Sequence, residues 1–296
     1  MKDYSGAAKA DPSPAVPSGE SISAVFTDHE AATSPAPEAF DGLYPMIFKR
    51  RSFHTFPGGR SLSAGELEEI EAFTSRIRPL TPGTRVAFKI VPREKTNCKR
   101  GQYCVLFYSE KNEYYLYNAG YMMEQLDLWL TARDIGVCWY GFGRTREKRI
   151  DGLSFVIMLA IEKAEPGDFR KDYRESARKP TGEIFEGTDY REVVEVAKYA
   201  PSACNTQPWL VHSEPGRLLV SRILGSRGSI PARLLSFYNK IDVGIFLLFI
   251  ELGLRHGGRA PEIRLLSDAD EGKENQVAEF CVPKCVDETL VVHRII

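Results

Sequence analysis

The 296-residue chain predicts an α+β fold built from two pseudo-equivalent halves. Two observations carry this. Segments with apolar residues at helical spacing alternate with short β-branched or aromatic runs bounded by turn residues. In addition, one offset maps half onto half. Aligning Asn118-Ala119-Gly120 with Asp242-Val243-Gly244 requires 124 residues (244 − 120), and the same shift sets Leu126, Leu128 and Leu130 on Ile250, Leu252 and Leu254, and Ile70 on Val194. An offset shared by helices in two separated places points to internal duplication. The competing reading is that any two helix-strand-helix units share periodic apolar positions.

Residues 1–40 are rich in Ala, Ser and Pro without apolar periodicity and read as a disordered arm. The first half, 41–180, opens with a short helix at Leu43–Lys49. A stronger helix follows at Ala64–Arg78, where Leu67, Ile70, Phe73 and Ile77 recur at helical spacing and Ser63 can cap. Val86–Val91 and Tyr103–Tyr108 read as strands, with Tyr114–Tyr117 a third short strand nearby. A long helix over Asn118–Asp134 carries Met122, Leu126, Trp129 and Leu130 on one side and ends at Gly136; Val137–Gly143 is its exit, and the strand Phe155–Glu162 closes the half. The second half, 181–296, repeats the plan: helix Arg191–Tyr199, strands at Trp209–His212 and Arg217–Arg222, and an apolar helix Asp242–Arg255.

Composition excludes some partners. Lys and Arg number 39 against 40 Asp and Glu, so no net field recommends nucleic acid or a membrane surface, and any anion site must be local. The longest apolar run, Ile245–Leu254, is broken by Glu251 and is about half of the roughly 20 residues a membrane-spanning helix needs. The first residues lack a secretory pattern and the six cysteines do not form a disulfide framework, so a reducing cytoplasm is the expected compartment. Cys281 and Cys285 with His293 behind them could supply metal ligands, but a full four-ligand set is missing. Ordinary thiols are the expectation there, as for Cys98 and Cys104, and no metal is expected.

The most specified segment is Ala200-Pro201-Ser202-Ala203-Cys204-Asn205-Thr206-Gln207-Pro208-Trp209, between a helix and a strand. Two prolines fix φ and remove amide donors, leaving Ser202, Asn205 and Gln207 to supply hydrogen bonds. Those bonds could face a ligand or only satisfy the local backbone. A second constellation, Arg50-Arg51-Ser52-Phe53-His54-Thr55-Phe56, places two guanidiniums and a hydroxyl within three residues. Such a set can grip a phosphate through charge-assisted hydrogen bonds, though paired arginines also commonly face solvent.

The first segment resembles the A-P-S-x-x-N-x-Q-P-W signature of the FMN-dependent nitroreductase family, and the second resembles that family's R-R-S-x-R-x-F opening. The resemblance covers most of the chain after about residue 44 and implies a nitroreductase-like fold that binds FMN. It implies Arg50, Arg51 and Ser52 at the flavin phosphate and ribityl chain, His54 where the family carries a second basic residue, and Pro201, Ser202, Asn205 and Gln207 across the ring. Backbone near Tyr140, Gly141 and Phe142 would lie at the flavin edge. Arg178 would reach the phosphate, or serve only as a solvated linker charge.

One departure from the family matters. Its two motifs normally lie one helix apart, whereas here about 150 residues intervene (200 − 50). Family members are homodimers with the flavin at the interface, so a fused, duplicated chain like the Thermotoga-type group would supply both motifs itself. The matching turn in the first half, Arg78-Pro79-Leu80-Thr81-Pro82-Gly83, lacks the Asn and Gln. One competent and one degenerate site per chain follow, in a chain that can be monomeric. The implied activity is electron transfer from NADH or NADPH to a nitroaromatic or quinone, with no obligatory catalytic side chain; no G-x-G-x-x-G is present, so the nicotinamide would be a diffusing substrate. A flavin-binding sensor or carrier with little turnover is the alternative, and a dehalogenase or flavin-fragmenting enzyme a third.

Overall fold

The computed structural model describes residues 40, 42–224 and 228–283. The arm at 1–40, apart from Phe40, lies outside the described residues, as do Cys285 and His293. Helices are α1 (Met46–Lys49), α2 (Ala64–Thr74), α3 (Tyr115–Ala132), α4 (Thr181–Ile184), α5 (Arg191–Ala197) and α6 (Ala232–His256). Strands are β1 (Val86–Pro92), β2 (Tyr103–Ser109), β3 (Ile135–Tyr140), β4 (Arg149–Ile150), β5 (Leu153–Lys163), β6 (Phe185–Glu186), β7 (Trp209–Glu214), β8 (Arg217–Ile223), β9 (Glu262–Leu265) and β10 (Glu274–Cys281).

The strands make two sheets with the same connectivity. One runs β1-β2-β5-β3 and the other β7-β8-β10-β9, antiparallel along both paths; β4 adds to β5, and β6 adds to β7 in parallel. In each half a helix, a hairpin, a long helix and two returning strands follow in order. Helices α3 and α6 pack against each other, and 15 of the 18 residues of α3 and 17 of the 25 of α6 are buried. No helix among the described residues is long and apolar enough to cross a membrane.

The helix expected at Ala64–Arg78 begins as read, with Ser63 and Glu66 forming a reciprocal capping box, but stops at Thr74. The Thr74 and Ser75 hydroxyls donate to the carbonyls of Glu71 (2.7 Å) and Ala72 (2.8 Å). Such side-chain bonds compete with the helix, and Arg78 precedes Pro79, which disfavours helical backbone. The strand expected at Tyr114–Tyr117 is instead the start of α3. Tyr114 takes a left-handed φ of 64° as N-cap, and Tyr117 and Tyr121 bury on one helix face. Burial against α6 overrides their β propensity.

The long second helix starts at Ala232, ten residues before the expected Asp242. Asn239 and Lys240 mask its periodicity, yet both are buried, and Lys240 Nζ lies 2.8 Å from Asp268 Oδ1. The exit at Val137–Gly143 is largely strand β3. Strands β9 and β10 were not legible as such: β9 has four residues, and β10 carries a register shift between Gln276 and Ala278.

Candidate functional site

Strand β3 lies at the end of its sheet and receives the arginine segment on its free side. Ser52 bridges Val137 in parallel, and the Phe53 amide donates to the Val137 carbonyl at 2.9 Å. From the other half, the turn after α5 is closed by the Ser202 hydroxyl, which accepts from the Gln207 amide at 3.0 Å. Between them lies a cavity of about 860 Å³. Arg51, Ser52, His54, Tyr140, Gly141, Phe142, Arg178, Pro201, Ser202 and Asn205 all line it. Segments some 150 residues apart thus meet at one place.

The turn is strained. Cys204, Asn205 and Gln207 have φ of 51°, 54° and 47°, each costing on the order of 1 kcal/mol. Asp242, at the base, accepts from the Ala203 amide at 2.9 Å, and Asn118, its counterpart at the 124-residue offset, accepts from the Leu80 amide at 2.7 Å. Burial pushes the Asp242 carboxyl up to about 8, against the opposing bonds from Ala203 and Thr206.

Arg50 and Gln207 are not lining residues. The Arg50 guanidinium is 2% exposed and lies between two buried carboxylates, at 2.8 Å from Asp127 Oδ2 and 3.1 Å from Glu124 Oε1. Burial pushes both carboxyls up while Arg50 opposes it, and the Trp139 indole donates to each. Gln207 holds the local backbone, its Oε1 accepting from the Lys179 amide at 2.8 Å. Asn205 turns its amide toward the 177–178 segment, donating to the Ala177 carbonyl at 3.0 Å and accepting from Arg178 at 3.1 Å.

Four arginines face the cavity: Arg51, Arg178 and two the sequence did not single out, Arg100 and Arg170. None pairs with a carboxylate side chain among the described residues. Arg178 bonds only to the Ala177 and Tyr199 carbonyls and to Asn205, and its Nε is buried without a partner. Burial, then the charges of Arg50 and Arg170, hold Arg178 down at about 10; burial with Arg50 and Arg51 lowers Arg170. Asp242 is the one carboxyl in the lining. In a chain of net charge −1, this cluster is a local concentration of positive charge of the kind that attracts an anionic group.

The remaining wall is apolar. Trp139, Ile157, Ile230, Tyr238, Ile241 and Ile245 line it, and Phe142 stands 60% exposed at the mouth, edge-on to Tyr238. The Tyr238 hydroxyl donates to the Gly141 carbonyl at 2.7 Å, tying the loop after β3 to α6. Arg100, Arg170 and Tyr238 carried no local signal, because only the fold brings them here. His54 Nδ1 accepts from the Arg100 guanidinium at 3.0 Å; burial, then Arg100, Arg50 and Arg51, lower its affinity for a proton. Among the described residues no group of three His, Cys, Asp or Glu side chains could hold a metal.

A largely apolar cavity edged by guanidiniums without carboxylate partners suits an apolar ligand that carries an anionic group. No curated protein matches the chain. A Thermotoga maritima crystal structure described as that of "a putative nitroreductase" shares the fold, with a TM-score of 0.54 at 21% identity over 81% of this chain and 92% of that one. Residues 42–254 match the family described as "Putative TM nitroreductase", and the chain therefore belongs to that nitroreductase family.

Proposed function

We propose that the cavity binds FMN and that the protein passes electrons from NADH or NADPH to a small acceptor such as a nitroaromatic or quinone. Family membership makes the chain an oxidoreductase. The observation that carries the finer reading is the arginine cluster, with its unpartnered Arg178 Nε, at a largely apolar cavity between the halves. FMN fits both features, the phosphate among the guanidiniums and the ring along the apolar wall. When bound, it would take a hydride from the nicotinamide and deliver two electrons to the acceptor.

Arg51, Arg170 and Arg178 hold the phosphate by charge-assisted bonds. Arg50 serves them from below: it engages Asp127 and Glu124, and its Nη2 donates to the Ser52 hydroxyl at 3.4 Å. Tyr140 and Gly141 offer backbone at the ring edge, and Pro201, Ser202 and Asn205 form the opposite lip. Trp139, Ile241 and Ile245 keep water from the ring.

In this reading residues 41–180 and 181–296 act as two fused subunits in a monomeric, cytoplasmic protein. The site is single because the 124-residue offset carries Ile241 and Ile245 onto Tyr117 and Tyr121. Both tyrosines are buried, with their hydroxyls engaged by Arg222 and Glu251. The test is the visible spectrum of the purified protein, release and quantification of its flavin, and NAD(P)H oxidation with a quinone. One FMN per chain and steady turnover are expected. Failure to retain or bind flavin overturns the proposal, and bound flavin without turnover leaves a carrier or sensor.

A further inference from the structure

Cys98, Cys104 and Cys138 belong to one small apolar cluster beside the cavity, which Cys138 helps to line, and all three are buried. Cys104 on β2 and Cys138 on β3 both pair with Ala160 of β5, from opposite sides. Two strand spacings set their Cα atoms roughly 10 Å apart, too far for a disulfide, which needs less than about 7 Å. Cys98, in the turn before β2, closes on Cys104 instead. Thr96 Oγ1 ties the two, accepting from the Cys98 amide at 3.0 Å and lying 3.6 Å from Cys104 Sγ.

We propose that Cys98 and Cys104 form a redox-active dithiol that a hydroperoxide oxidises to a disulfide, with Arg100 carrying the change to the cavity. The neighbouring Cys104 thiol, then the Arg100 amide and the charges of Arg100 and Arg93, overcome burial and lower the Cys98 thiol to about 6, whereas Cys104 is raised. Cys98 is therefore the attacking thiolate and Cys104 keeps its proton. With hydrogen peroxide, Cys98 Sγ attacks one oxygen and the O–O bond breaks. The departing hydroxide takes a proton and leaves as water, and Cys98 becomes a sulfenic acid. Cys104 then attacks that sulfur; the S–S bond forms, the S–O bond breaks, and the hydroxyl leaves with the Cys104 proton as a second water. Two thiols have lost two electrons, and one peroxide has become two waters.

Arg100 couples the pair to the site. Its amide donates to Cys98 Sγ at 3.4 Å, while its guanidinium reaches Cys138 Sγ at 3.1 Å and His54 Nδ1 at 3.0 Å, on the cavity wall. Closing the disulfide draws on the same turn and takes away the sulfur its amide faces.

The experiment treats the full chain with stoichiometric hydrogen peroxide, alkylates the remaining thiols and maps peptides without reduction. Cleavage after Lys99 or Arg100 separates the two cysteines, so a bridge joins two peptides. The expected result is a Cys98–Cys104 linkage that a dithiol reductant reverses, with a dimedone-trapped sulfenic acid at Cys98 in Cys104→Ser. Oxidation of the exposed Cys204 with Cys98 and Cys104 both still alkylated, or a bridge between any other pair, overturns the proposal. The linkage is read in the wild-type chain, whatever the folding of the variant and whether or not flavin is bound.

Discussion

Gly120 of α3 and Gly244 of α6 meet the opposite helix in the same way. A Cβ on Gly120 would overlap the Ile241 carbonyl, and a Cβ on Gly244 would overlap the Tyr117 carbonyl. The two contacts exchange under one offset, since 244 − 120 and 241 − 117 are both 124. Reciprocity of this kind is the mark of an isologous, twofold contact. Glycine is required here for close approach.

Gly120→Ala and Gly244→Ala should each destabilise the protein by about 2–3 kcal/mol, the scale of overpacking, because a backbone carbonyl cannot yield as a side chain can. Thermal melts should fall by roughly 5–10 °C in each. A drop in one variant without a comparable drop in the other would contradict the reciprocal contact.

Arg50 and Arg178 should separate stability from binding. Arg50→Ala leaves Glu124 and Asp127 buried without their cation and should cost about 3–5 kcal/mol of folding stability. Arg178→Ala removes a guanidinium crowded by Arg50 and Arg170, so urea midpoints without ligand should not fall, while FMN affinity weakens by about 1.5–3 kcal/mol. Denaturation and flavin titration on both variants check this.

Asp242 should make the protein less stable as pH rises. Its folded value of about 8 lies above the unfolded carboxyl value of about 4, so the folded state holds the extra proton between them. The stability it contributes is present below the unfolded value and is lost as pH climbs toward 8. Asp242→Asn cannot ionise and places an amide where Asn118 already serves the other half. The variant's urea midpoint relative to wild type should be higher at pH 8 than at pH 5.

His54 should titrate below its ordinary value of about 6.5, because burial and the neighbouring arginines disfavour its cation. Near neutral pH it is an uncharged partner of Arg100, so any extra pH dependence of the flavin potential shifts below the usual histidine range. Histidine NMR titration of wild type and Arg100→Gln should show the midpoint rising in the variant.

Local features were legible in the sequence because their causes are local. The Ser63 cap, the β-branched runs of β1 and β2 and the Pro201–Pro208 turn depend on residues within a few positions of each other. The 124-residue offset aligns Gly120 with Gly244, and both lie where the two long helices touch. Other features came only from tertiary structure. Tyr114–Tyr117 has strand propensity, and packing against α6 makes it helical. Arg50 reads as a phosphate ligand beside Arg51 until Asp127, 77 residues away, claims its Nε at 2.8 Å. Arg100, Arg170 and Tyr238 reach the cavity only once the chain has folded. A side chain's type is written in the sequence, but its partner is chosen by burial, where an unpaired charge or polar group costs several times what a surface contact returns.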